Sequence, residues 1–184
     1  MKFCEKLRSA KLEIGEILSG MSSKTCCFTG HRSQKLPWGF NEKNTRCMVM
    51  KEKVRAEIIN AIDCGYEIFI SGMAIGFDMI CAEIVLELKK MYKNIKLVCA
   101  IPCKGQENLW KQDTQERYRK IVKQADKVRC VYDGYIDGCM QERNKYMINN
   151  STLVIALFNG GAGGTMQTIN YAKNLDKKII IIEP

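Results

Sequence analysis

A chain of 184 residues that is 46% hydrophobic and 27% charged can bury a full core without staples, which excludes a disordered or fibrous protein. No apolar run approaches the roughly 18 residues that cross a bilayer, and residues 1–10 lack the apolar stretch of a signal peptide. A cytoplasmic location with no membrane partner is therefore expected. The net charge of +9 suits an anionic partner, although the lysines are spread along the chain, as a solvated basic surface would also have them.

Residues 1–20 stand apart as an amphipathic helical extension through Leu7, Leu12, Ile14 and Leu18, and a core domain follows over residues 21–184. The spacing then predicts a strand over 25–29 and a helix over 42–64. The apolar stripe of that helix is Met48, Val54, Ile58, Ile59 and Ile62. A strand over 66–70, a helix over 75–92 and a strand over 95–101 closed by Pro102 come next. A polar helix over 106–124, a weak strand over 128–131 and a helix over 137–150 follow. The run TLVIALF at 152–158 is apolar throughout, as in a strand buried on both faces. A helix over 164–174 and a strand over 178–182 complete the pattern. Strands alternating with helices imply right-handed crossovers, and so a three-layer α/β/α fold of Rossmann-like type with a mostly parallel, doubly wound sheet. Ligands of such sheets bind beyond the carboxyl ends of the strands.

The ten cysteines include no CxxC pair, and a single histidine leaves little to complete a zinc site. Cys64, Cys81, Cys99 and Cys130 lie inside apolar patterns and read as reduced core thiols, while Cys26 and Cys27 point to opposite sheet faces. No metal and no cofactor are called for.

Three strand ends carry the chemistry. After the first strand stand Thr29, Gly30, His31 and Arg32: a turn that exposes amides, with a guanidinium suited to phosphate or carboxylate. A turn with one surface arginine would look the same. After the second strand, Ser71, Gly72, Gly76 and Asp78 enter a helix N-terminus, whose amides and dipole favour an anion. Asp78 either caps that helix or accepts from a ribose hydroxyl. After the most apolar strand come Gly160, Gly161, Gly163, Gly164 and Thr165, a loop bare enough for backbone amides to approach a ligand. It lacks the lysine of a Walker loop and the dinucleotide GxGxxG spacing. Just upstream, Arg143 can reach the same pocket or sit on the surface.

Together these segments resemble the SLOG superfamily, and most closely its YpsA/YoqJ-like branch. TGHR at 29–32 is similar to the branch signature. SGMAIGFD at 71–78, followed by Ala82, resembles the SGxAxGxD element shared with the DNA-processing protein DprA. IPCKGQENLW at 101–110, with Gln115, Tyr118, Ala125 and Asp126, resembles the YpsA pattern, and GGAGGT at 160–165 resembles the superfamily's phosphate loop. The resemblance implies a Rossmann-like domain that binds nucleotides or signals derived from them, with Trp110 either stacking on the ligand or anchoring structure. The related "lonely guy" phosphoribohydrolases carry an Arg-Lys pair and GGxGTxxE. Here Arg143 matches, but Asn144 stands at the lysine position and Thr168 at the catalytic glutamate position.

Three functions stay open at this point. A sensor or sequesterer of a nucleotide-like small molecule needs only the anion-ready loops. An N-glycoside hydrolase would draw its acid-base groups from Asp78, Glu142 and Arg143. Single-stranded nucleic-acid binding is suggested by the DprA-like element and the positive charge. Apolar, Cys- and Met-rich helix faces suit a homo-oligomer.

Overall fold

The computed structural model describes residues 24–184, and the helix expected over residues 1–20 lies outside them. The apolar runs become β1 (Thr25–Gly30), β2 (Ile68–Ser71), β3 (Lys96–Cys103), β4 (Lys127–Tyr132), β5 (Leu153–Leu157) and β6 (Lys178–Ile182). Between them lie α1 (Thr45–Asp63), α2 (Phe77–Leu88), α3 (Gln112–Gln124), α4 (Cys139–Asn149) and α5 (Gly164–Asn174), with a 3-10 turn at Ser33–Lys35. The strands form one sheet in the order β4-β3-β2-β1-β5-β6, and every pairing is parallel.

The alternation of side chains along each strand divides the core into two layers. Cys26, Phe28, Phe69, Leu97 and Ile155 point to the face covered by α1, α2 and α3. Cys27, Ile70, Ala100 and Val154 point to the other face, against Met147 and Ile148 of α4 and Ala172 of α5. The Rossmann-like α/β/α sandwich read from the sequence is thus the fold that forms. β5 has every residue buried, as its unbroken apolar run requires. Each buried Val, Ile or Phe side chain contributes roughly 1.5–3 kcal/mol. Phe28 and Phe69 stack across β1 and β2 with ring centroids 6.2 Å apart.

Some elements differ from the expectation. The buried face of α1 is Cys47, Met50, Val54, Ile58 and Ala61, whereas Met48 is 56% exposed. The uninterrupted fourfold spacing of 50, 54 and 58 sets that face, and Met48 falls outside it. β3 runs through Pro102 to Cys103. Its last pairing with β2 is Ser71↔Cys99, so on that side no ladder bond is asked of the proline. α2 starts at Phe77 because Gly76, at φ +104°, turns the chain into it. α3 starts at Gln112, after turns that occupy residues 104–110. Cys64 caps the end of α1 and is exposed, while Cys81 and Cys99 are buried, and burial pushes the Cys99 thiol up to about 12. Among the described residues, no helix is long and apolar enough to cross a membrane, and no cluster of three His, Cys, Asp or Glu could hold a metal ion.

Candidate ligand-binding site

The strand order reverses between β1 and β5. From β1 the chain winds outward through β2, β3 and β4, then crosses over to β5 and β6 on the other side. Crossovers leaving neighbouring strands in opposite directions open a crevice at their carboxyl ends. There a cavity of about 580 Å³ is lined by Thr29–Arg32, Ala74, Asp78, Arg143 and Gly161–Thr165. The three strand-end loops therefore converge. His31 Nε2 donates to Asn159 Oδ1 at 2.8 Å, and its ring lies 5.5 Å from that of Phe158, which binds the β1 loop to the β5 loop. A two-residue bridge between Arg32 and Gly76 binds the β1 loop to the β2 loop.

Glycine is required at these turns for different reasons. A Cβ on Gly30 would lie 2.5 Å from the Phe77 ring, and one on Gly76 would meet the Ser33 backbone nitrogen at 2.8 Å. Those two glycines let the loops close on one another. Gly160, Gly161 and Gly163 hold φ of +91°, +86° and +146°, which side chains rarely adopt. Gly164 has neither reason: its φ is ordinary and an added Cβ would meet nothing within 4 Å.

Three helices begin around this hollow. Gly76, Gly138 and Gly163 are the N-caps of α2, α4 and α5, and none supplies a capping side chain. The first-turn amides of each helix have no partner within the helix. Asp78 places a carboxylate in the first turn of α2 and accepts from the Ala74 amide of the preceding loop at 3.3 Å. No acidic residue stands in the first turn of α5. An anion placed there meets unpaired N–H groups and the positive end of the helix dipole.

The floor is a buried ion pair. Asp78 Oδ2 lies 3.7 Å from Arg143 Nη1, and both side chains are almost fully buried. Burial pushes the Asp78 carboxyl above its ordinary value, with Arg143, the Ala74 amide and Arg32 pulling the other way. Burial likewise lowers the Arg143 pKa while Asp78 raises it. The guanidinium also donates to the Gly72 carbonyl. Its Nε donates to Asn144 Oδ1 at 2.8 Å, Asn144 Nδ2 to Thr168 Oγ1 at 2.9 Å, and Thr168 Oγ1 to the Gly164 carbonyl at 2.8 Å. This relay ties the ion pair to the glycine loop.

Other expected residues sit elsewhere. Ser71 is fully buried; its hydroxyl donates to the Asp78 carbonyl at 2.8 Å and accepts from the Met73 amide, so it shapes the loop from beneath. Gly72 and Gly76 support the walls without lining them. Gly160 leads into the loop from outside the lining. Glu142 is half-exposed, paired with Lys145 at 2.8 Å, and is not part of the lining. Trp110 packs edge-on against Tyr118, 5.4 Å between centroids, and faces an adjoining cavity. Lys35, absent from the sequence reading, stands over the glycine loop: its Nζ is 3.3 Å from where a Gly163 Cβ would lie. Arg32 and Lys35 are both exposed, and neither forms an ion pair with a described carboxylate. The lining thus carries Arg32, Lys35 and Arg143 against Asp78 alone among the carboxylates.

Comparison with known proteins gives consistent results. The family model described as the YspA SLOG family (YpsA) matches residues 26–182. A UPF0398 protein of Brevibacillus brevis is 36% identical over 121 residues, covering 65% of this chain and 64% of that protein. The SPbeta prophage-derived protein YoqJ of Bacillus subtilis is 32% identical over 145 residues, covering 71% of this chain and 84% of YoqJ. The chain thus spans under two thirds of the first relative and most of the second. Among solved structures, DNA processing protein A of Helicobacter pylori, described for its single-stranded DNA binding mode, aligns with a TM-score of 0.59 at 17% identity. That alignment covers 90% of this chain and 67% of that one. DprA from Streptococcus pneumoniae aligns with a TM-score of 0.60 at 13% identity, over 88% of this chain and 50% of that one. At such identities these two likenesses concern the fold.

Proposed function

This chain belongs to the YpsA SLOG family, and on that premise we propose that it binds a nucleotide, or a phosphorylated small molecule derived from one, as a sensor or sequesterer. The observation that carries this reading is Gly164. Neither backbone conformation nor neighbouring atoms require a glycine there, and in the wall of the cavity its bareness suits a ligand approaching from outside the chain. The open N-terminus of α5, with Arg32 and Lys35 in the same cavity lining and free of ion pairs with described carboxylates, suits a phosphate group. Binding has more support than N-glycoside hydrolysis. Where the phosphoribohydrolase pattern has lysine and glutamate, Asn144 and Thr168 are neutral and hydrogen-bonded to each other. An oxocarbenium-like transition state needs a carboxylate beside it; Thr168 provides none, and Asp78, the one carboxylate in the lining, is engaged by Arg143.

Isothermal titration of the wild-type chain with nucleoside mono-, di- and triphosphates is the test. Saturable heat is expected from at least one of them, with affinity reduced tenfold or more in Gly164→Ala. The melting temperature of that variant should be unchanged or slightly higher, since alanine is the better helix residue by about 1 kcal/mol. Folded wild-type protein that gives no heat with any of the panel would overturn the reading.

A further inference from the structure

A second cavity, of about 480 Å³, adjoins the first and shares Arg32, Gln34, Ala74 and Met140 with it. Its character is different. The far wall carries Phe40, Leu109 and Trp110, and Phe40 and Leu109 are 63% and 99% exposed. A fully exposed leucine beside a largely exposed phenylalanine loses nothing on packing against a flat apolar group and gains by burial. Trp110 is held by its edge contact with Tyr118, so this wall offers a fixed ring rather than a mobile one. Lys111, Asp113 and Thr114, at the start of α3, supply polar groups along the rim. Gln106, whose Nε2 donates to the Met73 carbonyl at 3.3 Å, joins this wall to the β2 loop.

The first cavity alone falls in the range of roughly 300–1,000 Å³ that holds a small-molecule ligand. The second is therefore surplus to a mononucleotide. Arg32 stands in the wall common to both, where a group bridging two halves of a ligand would pass. We propose that the second cavity is a stacking subsite for a second base, and that the ligand is a two-headed nucleotide joined through phosphates. One half lies on the glycine loop, the bridging phosphates lie at Arg32, and the second base lies against Phe40, Leu109 and Trp110. This inference rests on the nucleotide-binding reading above and names its ligand class.

The test titrates wild type and the Phe40→Ala/Leu109→Ala double variant with three probes. These are adenosine monophosphate, the symmetric pyrophosphate of two adenosines, and a short oligothymidylate. Both substituted side chains are exposed, so the variant keeps its fold, which circular dichroism verifies. Wild type should bind the dinucleotide at least tenfold more tightly than the monophosphate. The double variant should lose that advantage, a drop of about tenfold or more for one stacked base, and keep its monophosphate affinity. A dinucleotide that binds wild type no better than the monophosphate, or equally well to both proteins, overturns the subsite and leaves the nucleotide-binding reading standing. Tightest binding to the oligothymidylate overturns the two-headed small molecule in favour of a strand. Wild type that binds none of the three overturns the subsite, and the nucleotide panel above decides the reading beneath it.

Discussion

Gly72 and Gly164 are both glycines of the site loops, yet they answer to opposite demands. A Cβ on Gly72 would collide with the Arg143 guanidinium and lie 2.7 Å from Asp78 Oδ2. Gly72→Ala therefore displaces a buried charge from its partner. Urea denaturation of that variant should show a loss of about 3 kcal/mol, the scale on which buried pairs resist disruption. Gly164→Ala, measured alongside, should show none. Both glycines are visible in the sequence, but only the contacts across loops tell which one the fold requires and which one it does not. Lys35 has no local signal at all. It lies in a short 3-10 turn, and only the closure of that turn over the α5 loop brings it to the cavity.

At the scale of elements, α1 tests how far periodicity can be trusted. Met50 is 1% exposed and Met48 is 56% exposed, although both belong to one apolar-looking helix. Met50→Ala should cost about 2–5 kcal/mol and Met48→Ala less than about 0.5, read as shifts in the denaturation midpoint. α5 and β6 are legible to the residue, since glycines lead into one and a β-branched run spells the other. The start of α3 is not, because polar residues 106–110 fit a helix as readily as the turns they form. The placement of the α4 N-terminus at the cavity is not legible either. Gly138 announces a turn, but only the sheet topology directs that turn towards the glycine loop.

Across the whole molecule, carboxylates far from the site set the response to acid. Glu42, ahead of α1, accepts from Lys51 Nζ at 2.7 Å and from Arg117 Nη1 at 2.5 Å, and Arg117 of α3 also binds Glu83 of α2 at 2.6 Å. Burial resists ionisation of Glu42, but the hydrogen bonds from Arg117 and Lys51 prevail and hold it below the ordinary carboxylate value. Asp126 behaves alike: burial opposes its charge, while Lys89 and the Leu97 amide more than offset that. A carboxyl lowered by folding stabilises fully above its unfolded pKa, about 4, and that stabilisation is lost as pH falls through the folded value. Asp78, raised by burial, has the opposite sign, so its contribution is lost as pH rises. With Glu42 and Asp126 lowered against Asp78 raised, the urea midpoint should fall between about pH 5 and pH 3. The slope should be shallower in Glu42→Gln/Asp126→Asn, which should also be less stable at neutral pH.

The hydrogen bond from His31 to Asn159 spans 128 positions of sequence, and β1 finds its second neighbour only when β5 arrives. A nascent polypeptide that has emerged only as far as α4 possesses two of the three strand-end turns and no pocket between them. The crevice therefore forms only once β5 has joined β1, and by mass action anything that filled it would hold together two loops 128 positions apart.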